Sequence, residues 1–303
     1  MIFTKRDKTP SHPHNWRERL KACLTGRAIG DALGIPYEDQ NFTTDIRFDH
    51  AWLFSDDTQL TLATCEAIMK SHTIEPEMIA KNMLSWYNSG KLSGLGSSTL
   101  KALRELQVGG HWALTGRQGE YAAGNGAAMR IAPLAFKQNT NRFAIKDVTA
   151  ITHKNDEAYA GALALYTAIV ICLKNEWQDK TNLLQMVAEQ LPDTAVRDQI
   201  LQLNRQSERS IAEIAIPFPP TGHVVKSVPF VLFATSKVKH IGFKEVIRQI
   251  IAAGGDTDTN CSMAGQVMGA YGGMELIPSE WKYRFSSFRT ARLVEEIVDK
   301  WVY

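Results

Sequence analysis

Three glycines on one face of a predicted helix constrain the fold of this chain more than any other feature. The apolar spacing predicts a helix over residues 16–33, and Gly26, Gly30 and Gly34 recur every four residues along it. Glycine inside a helix is less favourable than alanine by roughly 1 kcal/mol. Three glycines on one face therefore indicate that a neighbouring helix or a ligand approaches the backbone closely.

The composition is that of a globular protein with a large core and no nucleic-acid partner. Of the 303 residues, 44% are hydrophobic and 22% are charged, which is ordinary for a globular chain. The 34 lysines and arginines nearly balance the 32 aspartates and glutamates, so the sequence has no basic footprint for DNA or RNA. Four widely spaced cysteines without a CxxC pair favour reduced, buried thiols over zinc binding or disulfides.

The sequence predicts no association with a membrane. Arg27 and Asp31 fall on the glycine-containing helix and exclude a membrane-spanning GxxxG helix. The longest apolar run, residues 159–173, is shorter than the roughly 20 residues that span a bilayer, and it predicts a helix buried on all sides. The N-terminus has no apolar stretch of the kind found in secretory signals. We expect a cytoplasmic protein.

The hydrophobic pattern predicts an all-α protein with a single domain at residues 16–303. No alternating pattern is long enough for a sheet, and no fixed-period repeat occurs. Residues 1–15 are basic and contain Pro10 and Pro13, which predicts an arm outside the core. This arm is either a frayed terminus or a segment that binds a partner or covers the site. Helices are predicted over residues 16–33, 55–70, 75–88, 97–107, 126–136, 143–152, 155–174, 181–191, 194–206, 224–236, 243–253, 260–272 and 290–302.

Two oxygen-rich clusters about two hundred residues apart predict one metal site divided between two helix starts. Residues 254–260 read Gly-Gly-Asp-Thr-Asp-Thr-Asn, and residues 55–58 read Ser-Asp-Asp-Thr. Carboxylates and hydroxyls without histidine or cysteine favour Mg²⁺, Mn²⁺ or Ca²⁺ over zinc. An EF-hand is excluded, because Cys261 and Val267 stand where its glycine and glutamate belong. Taken alone, the upstream cluster is also an ordinary helix N-terminus.

Three further motifs accompany these clusters. Residues 30–38 read Gly-Asp-Ala-Leu-Gly-Ile-Pro-Tyr-Glu, residues 124–130 read Gly-Asn-Gly-Ala-Ala-Met-Arg, and Thr-His occupies residues 152–153. In this order along the chain, the five motifs resemble the ADP-ribosylglycohydrolase family, including its arginine-specific members. The resemblance covers about residues 19–281. It implies a compact all-α domain with two Mg²⁺ or Mn²⁺ ions at the base of a cleft.

The resemblance also implies roles for individual residues. Glu38 matches the catalytic glutamate, and Asp57 is expected to take part in catalysis as well as in metal binding. His153 matches a histidine that lines the cleft, and Ser97 lies in a glycine-rich loop that matches a segment holding the diphosphate and riboses. The loop implied to bind the same substrate groups contains Gly124, Asn125 and Gly126. The implied metal ligands are Ser55, Asp56, Asp57, Asp256, Asp258 and Thr259.

Each of these residues has an alternative role that the sequence leaves open. Glu38 is also consistent with a solvated loop acid, His153 with a core histidine, and Asn125 with a left-handed turn. For Asp31 we favour a structural role, in which it pairs with Arg27 and holds the glycine face in place, over a catalytic one. Three aromatic residues are candidates to stack on adenine, although core packing is the expectation for each of them; they are Trp52, Tyr121 and Tyr271.

The expected function is metal-dependent removal of ADP-ribose from arginine side chains of modified proteins. Metal ions can hold the ribose diol and orient a water, while Glu38 acts as general acid or base. One alternative is hydrolysis of another linkage, such as serine-linked or O-acetyl ADP-ribose. A different class of function is an immunity protein that docks on an ADP-ribosyltransferase toxin through the arm at residues 1–15. The expected partners are an ADP-ribosylated protein and, under this alternative, the transferase.

Overall fold

A computed structural model describes residues 15–217 and 219–303 of the chain. The predicted arm at residues 1–15 therefore lies outside the described residues, apart from Asn15. Within the described ranges the chain is mainly helical, as predicted, and its two strands, β1 (Arg117–Gln118) and β2 (His153–Lys154), form one short parallel pair. The α-helices are α1 (Trp16–Gly34), α2 (Asp56–Ser71), α3 (Pro76–Asn88), α4 (Ser97–Gln107), α5 (Arg142–Ala150), α6 (Asp156–Leu173), α7 (Leu183–Ala188), α8 (Ala195–Asn204), α9 (Ile211–Ala215), α10 (Val224–Ser236), α11 (Val238–Ala253), α12 (Thr257–Leu276), α13 (Ser279–Ser286) and α14 (Arg289–Lys300).

The glycine face of α1 packs against α12, which settles whether a helix or a ligand approaches it. A Cβ added at Gly26 would lie 2.5 Å from the carbonyl oxygen of Gly265, and one at Gly30 would lie 2.2 Å from that of Cys261. At Gly34 the neighbour is the backbone of residues 257–258, at 2.5 Å. The two helices run antiparallel, since later residues of α1 meet earlier residues of α12. Their close contact places the end of α1 beside the start of α12.

The core is built around α6, α10 and α12, which contact one another. Helix α6 is long and apolar enough to cross a membrane by length and composition alone, but 72% of that stretch is buried inside the protein. This burial matches the helix expected at residues 159–173. All four cysteines are buried and free, as predicted.

Some local predictions were wrong. Residues 126–136 were expected to be one α-helix, but they form two 3₁₀ segments, Ala128–Arg130 and Ala132–Phe136. Pro133 lacks the backbone N–H that a continuous helix needs at that position. Two short helices, α9 and α13, were not predicted, because five and eight residues carry too little periodic signal.

Candidate active site

The N-terminus of α2 is held in place by a buried carboxylate from α1. Ser55 caps α2 and donates its hydroxyl hydrogen to Asp31 Oδ1 at 2.8 Å, and the backbone N–H of Ser55 donates to Asp31 Oδ2 at 3.1 Å. Thr58 donates both its backbone N–H, at 3.3 Å, and its hydroxyl to the same Oδ2. Asp31 is fully buried, and both of its carboxylate oxygens accept hydrogen bonds from the start of α2.

This arrangement corrects the partner expected for Asp31. The residue does play a structural role, but its carboxylate serves Ser55 and Thr58 and not Arg27. The Arg27 guanidinium is fully buried and lies 4.0 Å from Asp57 Oδ1. Its Nη2 donates to the carbonyl oxygen of Met129 at 3.0 Å, which ties the floor of the site to the loop that follows residue 124.

The N-terminus of α12 supplies the second oxygen-rich cluster. Thr257 donates its hydroxyl hydrogen to the carbonyl oxygen of Gly34 at 2.8 Å, which locks the first turn of α12 onto the end of α1. The two glycines before this turn, Gly254 and Gly255, have φ values of 75° and 74°, in the left-handed region that favours glycine. Asp258 and Thr259 are thereby directed from the first turn toward α2.

The two clusters meet across the interface between α2 and α12. Thr259 donates its hydroxyl hydrogen to Asp57 Oδ2 at 3.0 Å, although the residues lie 202 positions apart in the chain. Carboxylate oxygens within 4.8 Å of one another form two groups, Asp31–Asp57–Asp258 and Glu38–Asp256–Asp258. Asp258 belongs to both groups, so it occupies the position that a ligand shared by two ions would take.

Crowded carboxylates raise one another's pKa values at this site. Burial, with a further contribution from Asp31, raises the pKa of Asp57 to about 8. Burial and the charge of Asp57 raise the pKa of Asp258 to about 10 and that of Asp56 well above its usual range. The pKa of Glu38 is also raised, by partial burial and then by Asp256. Such a cluster holds excess negative potential that a divalent cation would neutralise.

The residues present fit a divalent metal ion. Asp57 Oδ1 is buried and accepts no hydrogen bond, so its lone pairs are available to a cation. The oxygens of Asp31 already accept hydrogen bonds, which makes it a support for the ligands and not a ligand itself. The donor set contains only carboxylates and hydroxyls, the preference of hard ions such as Mg²⁺ and Mn²⁺. The ligands that the resemblance implies lie at the starts of α2 and α12; they are Ser55, Asp56, Asp57, Asp256, Asp258 and Thr259.

These carboxylates lie at one end of a cleft of about 330 Å³. Helices α2, α4 and α12 all direct their N-termini into it, through Asp56, Ser97 and Asp258. The first N–H groups of α4 carry no side-chain cap, and the partial positive charge of this helix N-terminus suits an anionic diphosphate. The loop Gly124–Asn125–Gly126 also lines the cleft.

The loop at residue 124 is fixed by contacts on both sides. The backbone N–H of Asn125 donates to the carbonyl oxygen of Gly222 at 3.0 Å, and its side-chain Nδ2 donates to Asp256 Oδ2 at 2.7 Å. A Cβ at Gly126 would lie 2.9 Å from His153 Cε1, so the glycine allows the loop to pass close to the histidine ring. Asn125 thus links the loop directly to the second carboxylate group.

His153 lines the cleft as a neutral side chain. It is 4% exposed, and burial together with Arg130 and Arg117 lowers its pKa to about 3. Arg130 donates to the hydroxyl oxygen of Thr152 at 2.8 Å, and that hydroxyl lies 2.7 Å from His153 Nδ1. While the Thr152 oxygen accepts from Arg130, its own hydrogen is free to be donated to Nδ1. The neutral tautomer that uses this contact carries its proton on Nε2, on the side of Gly124.

The structure brings all the sequence-predicted site residues to this cleft or its floor. Ser55 and Asp57 lie beneath the cleft, and the others line it. The sequence favoured core packing for Tyr121, but this residue is 82% exposed and lines the cleft. Trp52 and Tyr271 pack against other aromatic rings, as expected. Sequence reasoning also omitted several lining residues, for which only their positions within or beside the motifs gave a signal; they are Asp39, Thr99, Met129 and Gly222.

Fold and site together define an all-α protein with a carboxylate-rich cleft whose residues fit a divalent metal ion. Residues 12–302 match the family model described as ADP-ribosylglycohydrolase, so the chain belongs to the ADP-ribosylglycohydrolase family. The resemblance seen in the sequence motifs is confirmed, and the protein is a hydrolase of this family.

Individual relatives resemble the chain over most of its length. The ADP-ribosylarginine hydrolase Tri1 of Pseudomonas putida (strain GB-1) is 26% identical, with 95% of this chain and 80% of the relative covered. The ADP-ribosylhydrolase ARH3 of Xenopus tropicalis is 24% identical, with 90% and 92% covered. A solved structure titled ADP-ribosylglycohydrolase-related protein complex has the same fold, with a TM-score of 0.73, 24% identity, and 95% and 98% of the two chains covered.

Proposed function

We propose that this protein is a divalent-metal-dependent hydrolase that releases ADP-ribose from arginine side chains of modified proteins. The observation that carries the proposal is that Glu38 and the aspartates of the two carboxylate groups converge at one cleft. Helix N-termini and a glycine loop line the rest of this cleft. This arrangement can hold a diphosphate and its ribose while a carboxyl group faces the scissile bond. The similarity to a relative named ADP-ribosylarginine hydrolase supports the arginine linkage.

The protein's own residues supply binding, orientation and proton transfer. The N–H groups at the start of α4 stabilise the diphosphate charge. Asn125 holds the Gly124–Gly126 loop at a fixed distance from Asp256 through its 2.7 Å hydrogen bond. The neutral His153 offers a hydrogen-bond donor at Nε2 without adding positive charge next to the loop.

Glu38 is the group that transfers the proton. Because its pKa is raised, the Glu38 carboxylate is a stronger base than a free glutamate. It can accept a proton from the attacking water and then donate that proton to the leaving nitrogen. The water oxygen bonds to the anomeric carbon as the carbon–nitrogen bond breaks, and ADP-ribose and arginine are released. Two Mg²⁺ or Mn²⁺ ions, when bound, would hold the ribose diol and polarise the water.

The test is release of ADP-ribose from an arginine-ADP-ribosylated protein, measured with Mg²⁺ and with a chelator. Serine-linked and O-acetyl ADP-ribose serve as parallel substrates. We expect wild type to release ADP-ribose from the arginine linkage. Chelator should abolish this release, and Glu38→Gln should reduce its rate at least a hundredfold. The matched control is Glu296→Gln, which changes an exposed acid on α14. Release only from a serine or acetyl linkage would contradict the arginine proposal but retain the family activity.

A further inference from the structure

The cleft carries one carboxylate that neither the metal ligands nor the acid–base chemistry uses. Asp39 lines the cleft immediately after Glu38 and is exposed. It belongs to neither of the two carboxylate groups, Asp31–Asp57–Asp258 and Glu38–Asp256–Asp258. Its charge is therefore not assigned to an ion, and it lies next to the residue that faces the scissile bond.

The backbone fixes Asp39 firmly in this position. Its N–H donates to the carbonyl oxygen of Gly255 at 2.9 Å, and the N–H of Gly255 donates to the carbonyl oxygen of Gln40 at 2.9 Å. These bonds form an antiparallel bridge between residue 40 and the loop that begins α12. Asp39 has a φ of 58°, a left-handed conformation that aspartate and asparagine tolerate better than most other residues.

Nothing in the described part of the chain neutralises this carboxylate. Within residues 15–217 and 219–303, the Asp39 side chain forms no hydrogen bond or ion pair. The described residues that line the cleft include five carboxylates, Glu38, Asp39, Asp56, Asp256 and Asp258, and no lysine or arginine. The end of the cleft beside Glu38 is consequently suited to a cationic group on the substrate.

We propose that Asp39 determines the linkage specificity of this enzyme by pairing with the guanidinium group of the arginine to which ADP-ribose is attached. The inference rests on the function proposed above and identifies a substrate-recognition residue for it. A guanidinium is planar and cationic, and it donates two parallel hydrogen bonds to a carboxylate. A serine hydroxyl or an acetyl ester at the same place is neutral and gains little from Asp39.

The experiment compares wild type, Asp39→Asn and a matched control on an arginine-linked and a serine-linked ADP-ribosyl peptide, with saturating Mg²⁺. Asparagine keeps the size and left-handed backbone of Asp39 and removes only the charge. The control is Asp49→Asn, an exposed acid farther along the same loop that does not line the cleft. Thermal unfolding of all three proteins verifies that they fold equally well.

For Asp39→Asn we expect KM for the arginine-linked peptide to rise about tenfold, with a smaller change in kcat. Where both peptides are cleaved, Asp39→Asn also lowers the ratio of kcat/KM for the arginine peptide to kcat/KM for the serine peptide by a similar factor. The control Asp49→Asn leaves KM as in wild type. An unchanged KM in Asp39→Asn, or an equal loss on both peptides, overturns the role of Asp39 while the proposed function stands. A wild type that cleaves no arginine linkage overturns the proposed function, and the inference with it.

Discussion

Asp31 Oδ1 accepts a 2.8 Å hydrogen bond from the hydroxyl of Ser55, so a residue in the last turn of α1 sets the position of the residue that caps α2. The same carboxylate accepts hydrogen bonds from Thr58, one residue beyond Asp57. Asp31 therefore determines where the first cluster of candidate metal ligands lies. Its contribution is to orient the groups that would contact an ion.

Replacing Asp31 by asparagine is expected to destabilise the protein and to weaken Mg²⁺ binding. Only the oxygen of an asparagine amide accepts hydrogen bonds, and its nitrogen donates them. At least one buried donor from Ser55 or Thr58 therefore loses its hydrogen-bond partner. We expect a loss of about 2 kcal/mol in the free energy of unfolding and at least a tenfold weaker Mg²⁺ affinity. Denaturant unfolding and calorimetric Mg²⁺ titration measure the two effects, and unaltered Mg²⁺ affinity would show that Asp31 does not support the ligands.

The contact between α1 and α12 predicts a severe effect for Gly30→Ala. The added Cβ would lie 2.2 Å from the carbonyl oxygen of Cys261, and neither backbone can move without separating the helices. We expect a loss of roughly 3 kcal/mol or more in unfolding free energy. Gly96→Ala is the control, because its Cβ meets nothing within 4 Å. Equal stability of the two variants, measured by thermal unfolding, would refute the close helix contact.

Without metal, the stability of the protein is expected to fall as the pH rises from about 6.5 to 8. The pKa of Asp57 is raised to about 8 and that of Asp258 to about 10, from an ordinary value of 3.8, so the folded state holds protons that the unfolded state releases. His153, with a pKa lowered to about 3 from 6.5, has the opposite effect, but only below about 6.5. Between 6.5 and 8 the carboxylates therefore dominate.

This pH dependence is measured as the Tm in the presence of chelator and again with Mg²⁺. Mg²⁺ should remove most of the decline, because it stabilises the ionised carboxylates. Asp57→Asn should show a shallower decline in chelator, since one of the titrating groups is gone. A Tm that stays level or increases over this range in chelator would contradict the assignment.

The N-terminal arm leads to a separate prediction about a protein partner. If the arm at residues 1–15 binds an ADP-ribosyltransferase, a truncated protein that lacks residues 1–15 should lose transferase inhibition and keep ADP-ribose release. Both activities are measured on the full chain and on the truncated chain with the same modified substrate. Equal inhibition by the two proteins would assign no partner-binding role to the arm.

Much of the site could be predicted because its residues come in compact motifs. Ser55–Asp57 and Asp256–Thr259 each place several oxygen ligands within a few residues of a helix start, which spacing along the chain reveals directly. The partner of Asp31 could not be predicted in this way, because Arg27 is one helical turn away in sequence and Ser55 is 24 residues away. Sequence proximity favoured the wrong pairing.

Tyr121 and Asp39 show a second limit of sequence reasoning. An aromatic residue among small apolar neighbours is typical of a core position, yet Tyr121 is exposed at the cleft because its short 3₁₀ segment follows the wall of that cleft. Asp39 resembles any loop acid until the bridge between residues 40 and 255 holds it at the wall of the cleft. Neither position is encoded in local periodicity.

The amino-acid sequence by itself determined the helical class, the glycine face of α1 and the two oxygen-rich helix starts, since each depends only on which residues are near one another along the chain. The tertiary structure alone decided that α12 is the helix that packs on the glycine face, that Asp258 is shared by both carboxylate groups, and that Asp31 supports Ser55. Such contacts join residues more than two hundred positions apart, as between Asp57 and Thr259. Their geometry follows from how the helices pack, because only packing brings distant backbones within hydrogen-bonding distance.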